Sequence, residues 1–496
     1  MRSKVLSQLV MPAASALTPF KTWSYLKEMC QSDFESPQRQ RTHRMALIRE
    51  LLVHAYREVD IYRAALDRAG VDPIEVAYPR TFMRLPITSK NDLRTGFPDR
   101  QVARSARSGW LRYSNTTGTM GRPLILVQDV ADVSWKYASI LRSRVLAGVD
   151  PMGTQVRISP NECQPCLPQG DSPERIWPLQ EDRAAPGRRS AMFLFLERQV
   201  ISPLFHRRIR LDPFWEGSGV SGPVDYGAYL RRIDELAPEV LSLYPLYALL
   251  LAKHLRRTGD SPPRVTGVID FYGGVCTPKL RKLVHEAFAV PTAQACGSCE
   301  FARYAASCTE DLDRMHLAEG YCYVEAVRPD GGLCASGELG NLIVTSLHSQ
   351  AMPIIRLEPG DVGRIIEDAC ACGRRSRRLT HGGRIQALIK NADGDWVTAA
   401  DLWDELLFIP GVELFQLVQK TRKKYLLRII PEPDRALDVD ALQSVLERLL
   451  GRDAQVEREV VPGLVPEASG KLQLVKSNTF EAFRPVQVAA RDIPVN

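Results

Sequence analysis

The segment 114-SNTTGTMGRP-123 sets glycines and hydroxyl residues between two apolar stretches. Such a loop can wrap its backbone N–H groups around a polyphosphate. Gly118 and Gly121 permit close approach, and Thr116, Thr117 and Thr119 add hydroxyl donors. It is not the Walker pattern, because no Gly-Lys-Ser/Thr follows. Taken alone, the same residues also suit a Ser/Thr/Gly surface turn, so the rest of the chain has to decide.

Outward from this loop, strand-like and helix-like segments alternate. Apolar runs such as 267-GVIDFYGG-274 and 341-NLIVTSL-347 end in glycine or polar residues, as buried strands do. Thr277 before Pro278 caps a helix whose Leu280, Leu283, Val284, Ala287 and Phe288 share a face. Residues 43–69 read as one long amphipathic helix, with Ile48, Leu51, Leu52, Ala55 and Tyr56 along its apolar side. The mixture indicates an α/β fold. Near the end the pattern changes. Two β-like runs, 414-LFQLVQ-419 and 425-YLLRII-430, flank the basic turn 420-KTRKK-424. A helix carrying Leu442, Val445, Leu446 and Leu449 follows, then a strand near 455-QVEREVV-461. The reading is a large unit over 1–383 and a small α/β unit over 384–496.

With 496 residues, 45% hydrophobic and 25% charged, the composition is that of a globular protein with more than one domain. No run of about 18 apolar residues suggests a membrane span. Gln8 and Pro12 interrupt the apolar stretch at the N-terminus, which argues against a signal peptide. A net charge of +7, spread along the chain, is too modest for a nucleic-acid partner and suits anionic small substrates. Eleven cysteines with no small-scaffold spacing read as reduced thiols in a cytoplasmic protein.

Four of the soft ligands group together. Cys308 and His316 form a Cys-x7-His pair, followed by Cys370 and Cys372 as a distant Cys-x-Cys. Three thiolates and one imidazole suit a closed, structural Zn²⁺ site. The alternative is a set of buried free thiols, and Cys299 is a substitute ligand. Cys163 and Cys166 have Cys-x2-Cys spacing without a visible partner and read as a loop feature. The Arg cluster 373-GRRSRR-378 reads as a solvated basic turn, or as a contact for the phosphates of coenzyme A.

Residues Thr116 to Pro123 resemble the Thr-Ser-Gly-Thr-Thr-Gly-Lys-Pro loop of the adenylate-forming enzymes, with Arg122 in place of the Lys and Met120 in place of a Thr. Further motifs, in order, resemble the phenylacetate–CoA ligase branch of that superfamily. Segment 272-YGGVCTPKLRKLV-284 is similar to the family's strand–helix junction, which implies an acyl-pocket role for Tyr272 and nucleotide contacts for Gly273 and Gly274. Segment 296-CGSCE-300 resembles Tyr-Gly-x-Thr-Glu, with Cys296 and Cys299 substituted. It implies adenylate contacts from Cys296, Gly297 and Ser298 and a Mg²⁺ ligand in Glu300. Segment 352-MPIIRLEPGDVGRI-365 implies that Asp361 binds the ribose hydroxyls. Arg384 in 382-GGRIQALIK-390 resembles the hinge arginine, although Gln386 stands where the hinge Asp is expected. In 466-PEASGK-471, Lys471 matches the catalytic lysine. The resemblance also carries the Cys/His grouping as a zinc site.

What the resemblance implies is a large adenylate-forming domain with a small mobile C-terminal domain. Its chemistry would be ATP- and Mg²⁺-dependent activation of a carboxylic acid to an acyl-adenylate, then transfer to coenzyme A. The alternatives are an amine, hydroxyl or carrier-protein acceptor, and a degenerate nucleotide-binding protein without catalysis. The acid and the oligomeric state stay open. Residues 163–225 align with no motif.

Overall fold

Near-continuous apolar runs make the centre of the fold. Strands Val240–Leu243 and Val268–Phe271 are buried along their whole length, as strands covered on both faces must be. They pair in parallel, Val240 opposite Val268. Gln155–Ile158 lies on one side and Thr292–Ser298 on the other, also parallel. The structure is a computed structural model describing residues 10–76, 81–108, 111–115, 124–158, 208–211, 224–467 and 472–485. The loop Thr116–Pro123, the Cys163/Cys166 pair and Lys471 lie outside the described residues.

Beyond Thr292–Ser298 the sheet turns antiparallel. It continues through Ala302–Ala306, Met315–Leu317, Arg378–Arg384 and Asp361–Ile366 to Leu339–Ser346 and Cys322–Val327. Eleven of the described strands form this one mixed sheet, consistent with the α/β reading. The helix Pro278–Phe288 forms where the Thr-Pro signal placed it: the Thr277 hydroxyl accepts from the Leu280 N–H, and Leu280, Leu283, Val284 and Phe288 are buried.

The N-terminal helix departs from expectation. Instead of one helix over 43–69, Pro37–Glu58 and Asp60–Ala69 are separate, because the buried Val59 takes an extended conformation between them. Ile48, Leu51, Leu52 and Ala55 pack inward as anticipated, while Tyr56 is only half-buried. Among the described residues no helix is long and apolar enough to cross a membrane.

Strands Val412–Gln419 and Lys424–Pro431 pair antiparallel around the basic turn. Helix Val439–Leu450 follows, and Gln455–Val460 adds in parallel. This four-stranded unit shares a core with the large sheet: Trp403, Leu417 and Leu472 belong to the same buried cluster as Leu246, Phe271 and Val284.

A buried ion pair ties the N-terminal helices to the sheet. Arg142 in helix Val130–Leu146 grips Asp33 through two hydrogen bonds of 2.7 and 3.0 Å, both side chains almost wholly shielded from water. Removing one partner strands the other charge at low dielectric. Asp33→Asn should therefore cost about 3–5 kcal/mol in urea unfolding; a loss below about 1 kcal/mol would show that Arg142 finds other acceptors.

Candidate active site and metal centre

The antiparallel pairing of Asp361–Ile366 with Arg378–Arg384 puts Asp361 directly opposite Arg384. An Arg384 guanidinium N–H donates to the Asp361 carboxylate at 3.0 Å. His381 Nε2 stands 3.7 Å from the same oxygen. In a regular strand His381 and Arg384, three residues apart, would face opposite ways. A bulge shifts the register between Val362 and Gly363, leaving Gly382 as the extra residue and turning both cations toward one carboxylate. Burial would raise the Asp361 pKa, but Arg384, His381 and the Lys90 charge hold it well below the usual carboxylate range. His381 is the converse case. Burial disfavours its charge, yet the Cys296 and Asp361 side chains facing it push its pKa up to about 10.

These groups line a cleft of about 510 Å³ that reaches from the large sheet to the small unit. Gly273, Gly274, Cys296, Gly297, Ser298 and Glu300 are in its wall, as are Gln386 and Leu472. The backbone at Gly273 has a φ of 73°, a region that L side chains rarely adopt. A Cβ at Gly297 would collide with the Ala302 carbonyl, so this glycine is needed where the neighbouring strand approaches. The Cys296 thiol donates to Tyr304 Oη at 3.1 Å. Tyr272 is not in the wall. Its hydroxyl donates to the Ile158 carbonyl at 3.1 Å and its ring lies 4.0 Å from the Arg157 guanidinium, while Phe271 and Tyr244 take the cleft side.

Glu300 is 1% exposed and lies 2.8 Å from Lys90 Nζ. Burial opposes its charge, but Lys90 keeps it below its ordinary value. Its Oε1 faces Lys90 Nζ in a charge contact without hydrogen-bond alignment, and the carboxylate lies in the cleft wall, where it can hold a metal cation in place of Lys90. That fits the Mg²⁺ role implied by the motif. Lys90 and His381 were not legible as site residues. The capping pattern of Ser89 and Asp92 marks a helix start beside Lys90, but nothing local says where that helix docks.

Cys308, His316, Cys370 and Cys372 do come together, with ligand atoms all within 4.8 Å of one another. Strand pairing sets Arg378 opposite His316 and so brings the Cys-x-Cys loop to the histidine. Cys308 Sγ is 3.7 Å from Cys370 Sγ, and Cys372 Sγ is 3.3 Å from His316 Nε2. The other ring nitrogen, Nδ1, lies 3.0 Å from Ser376 Oγ. Burial, and then the positive charges of Arg142, Arg374 and Arg378, push the imidazole pKa down to about 3, which keeps it neutral as a metal ligand must be. The donor set fits Zn²⁺. Cys299 belongs to the cleft wall instead.

The Arg cluster is not a solvated turn. Arg374 meets Asp33 at 3.5 Å and Arg377 meets Glu319 at 2.6 Å, while the wholly buried Arg378 pairs with Asp311 and Asp368. These ion pairs fasten the Cys370–Cys372 loop to its surroundings and leave only Arg375 of the cluster's arginines exposed.

Two outcomes follow from this geometry. Metal analysis should return about one Zn²⁺ per chain, and Cys370→Ser should lower both zinc content and melting temperature, because ligand binding energy is partly folding energy; a stable, metal-free wild type contradicts the site. For His381, a raised folded-state pKa means that its stabilisation is complete below the free-imidazole value of about 6.5 and is lost as pH rises through about 10. The melting-temperature gap between wild type and His381→Gln should narrow across that window, and a gap indifferent to pH rules the charge out.

No family model matches the chain. It is 28% identical over 340 residues to the phenylacetate-coenzyme A ligase of Thermus thermophilus, a match spanning 67% of each chain. It is 26% identical over 371 residues to the Escherichia coli phenylacetate-coenzyme A ligase, covering 73% of this chain and 71% of that one. A solved 2-hydroxyisobutyryl-CoA ligase in the postadenylation state superposes with a TM-score of 0.67 at 17% identity, over 90% of this chain and 92% of that chain. By sequence the chain is a relative of the phenylacetate-coenzyme A ligases, and its fold is that of the adenylate-forming acyl-CoA ligases, with a large N-terminal and a small C-terminal domain.

Proposed function

We propose that this protein activates a carboxylic acid with ATP to an acyl-adenylate and then transfers the acyl group to coenzyme A. The observation that carries the reading is the cleft itself, where a buried, ionised Asp361 flanked by Arg384 and His381 meets the Lys90–Glu300 pair within one 510 Å³ space. It opens beside the ends of the parallel strands, where α/β sheets bind ligands.

In this reading Asp361 accepts hydrogen bonds from the ribose hydroxyls, and Gly273, Gly274, Cys296, Gly297 and Ser298 form the wall against which the nucleoside lies. The loop from Thr116 to Gly121 would cradle the phosphates with its N–H groups and hydroxyls. Attack of the acid's carboxylate on the α-phosphate breaks the bond to pyrophosphate and gathers negative charge on one phosphorus. Arg384 and Lys471 are the cations assigned to that charge. Mg²⁺ held by Glu300 would supply Lewis-acid stabilisation of the phosphoryl oxygens. In the second step the coenzyme A thiol displaces AMP from the acyl carbon. The stretch after about residue 383 acts as the lid that presents Lys471 for the first step and withdraws it for the second. Its neighbour Leu472 lines the cleft, which supports the assignment. Zn²⁺ on Cys308, His316, Cys370 and Cys372 is structural, since four protein ligands leave no open position. A cytoplasmic location accords with the reduced cysteines.

The deciding experiment is ATP–pyrophosphate exchange with a panel of carboxylic acids. Lys471→Ala should cut exchange by roughly 10²-fold, as loss of one preorganised charge contact does. Given a synthetic acyl-adenylate, the same variant should still load coenzyme A within about tenfold of wild type, because the contact serves only the first transition state. Wild-type protein that exchanges with no acid tested would favour the non-catalytic alternative.

A further inference from the structure

The short helix Lys90–Arg94 is fixed to the site by its backbone as well as by its charge. The Thr88 N–H donates to the Arg356 carbonyl at 2.8 Å and the Glu358 N–H donates to the Thr88 carbonyl at 3.0 Å, so Thr88, two residues before Lys90, is tied to the stretch that leads to Asp361. The Thr88 hydroxyl adds a bond of 2.8 Å to the Ile355 carbonyl. A reciprocal capping box between Ser89 and Asp92 then sets the first turn. Held this way, the helix turns two cations toward the cleft. Lys90 reaches the buried Glu300, and Arg94, one turn later, lines the cleft with a buried Nε that makes no hydrogen bond.

A structural ion pair would account for Lys90 alone. It would not account for a second, incompletely satisfied guanidinium on the same wall, nor for a lysine left 28% exposed on the cleft side of a carboxylate that is 1% exposed. An ammonium group has three donors, and Glu300 takes one direction only. We infer that the Lys90–Arg94 helix is a phosphate-binding element of this cleft, in which Lys90 neutralises Glu300 until nucleotide enters and then, with Arg94, meets the polyphosphate of ATP. The inference rests on the nucleotide reading above and adds to it a contact from the N-terminal part of the chain. It makes the two residues partners of the phosphates and leaves the nucleoside to the Asp361 side.

The test is equilibrium binding of ATP and of adenosine to the full chain in EDTA, so that no divalent ion contributes. Lys90→Met and Arg94→Met should each weaken ATP binding by about tenfold, the scale of one lost charged hydrogen bond, and leave adenosine binding unchanged. Lys90→Arg should restore most of the ATP affinity. Lys90→Met leaves Glu300 unpaired and risks misfolding. The double variant Lys90→Met with Glu300→Gln removes that burden, and Arg94→Met tests the same helix independently. ATP affinity equal to wild type in both Lys90→Met and Arg94→Met overturns the inference, as does a parallel loss of ATP and adenosine, which would mark a structural role. Wild-type protein that binds neither ligand overturns the nucleotide reading itself, and this element with it.

Discussion

One backbone ladder governs both centres of this molecule. Asp361–Ile366 and Arg378–Arg384 run antiparallel, and the chain between them must return in a short excursion. At one end the ladder places Asp361, His381 and Arg384 in the cleft. At the other, the connecting loop carries Cys370 and Cys372 to Cys308 and His316. On its other edge Arg378–Arg384 pairs with Met315–Leu317 and sets Arg378 against His316, so the histidine's position depends on the same strand. A metal ion closing that loop would pin the register from outside, holding the Asp361 corner of the cleft by restraining the far end of the same two strands.

Buried charge is used freely around this ladder. Arg356, the arginine of the 352-MPIIRLEPGD-361 stretch, has a positive φ of 47° and pairs with the buried Glu325 at 3.2 Å. Its guanidinium also donates to the Met83 carbonyl at 2.9 Å and to the Leu85 carbonyl. Arg44 and Arg377 share Glu319, and burial is outweighed there by the two guanidiniums, which hold that carboxyl down to about 2. Such pairs add little net stability against apolar substitutes, but they tolerate few geometries. They fix which face of the N-terminal helices meets the sheet, and so fix where the Lys90–Arg94 helix arrives.

Periodicity and capping made much of this readable in advance. The buried strands, the Thr277 cap and the hairpin of the small unit follow from local patterns, and the Cys/His quartet follows from ligand chemistry. What could not be read depended on distant packing. Val59 breaks the N-terminal helix because its side chain is needed in a core that the local pattern does not display. The Arg cluster looks solvated because its acidic partners Asp33, Asp311, Glu319 and Asp368 are scattered along the chain. The resemblance implies a pocket role for Tyr272, yet just past the end of its strand the ring turns to Ile158 and Arg157, and Phe271 and Tyr244 face the cleft.

The bulge at Gly382 has a consequence for how the site can change over time. Because it is an extra residue rather than a particular side chain, the number of positive charges facing Asp361 depends on spacing and register together. Deleting Gly382 would set His381 two residues before Arg384, so simple alternation would keep both cations on the face of Asp361 without any bulge. A ladder that kept Gly382 but ran without the bulge would instead turn His381 to the far face and strip one cation from the cleft, while every side chain stays in the gene. Comparison by residue identity alone would miss such a difference, since it is written in register.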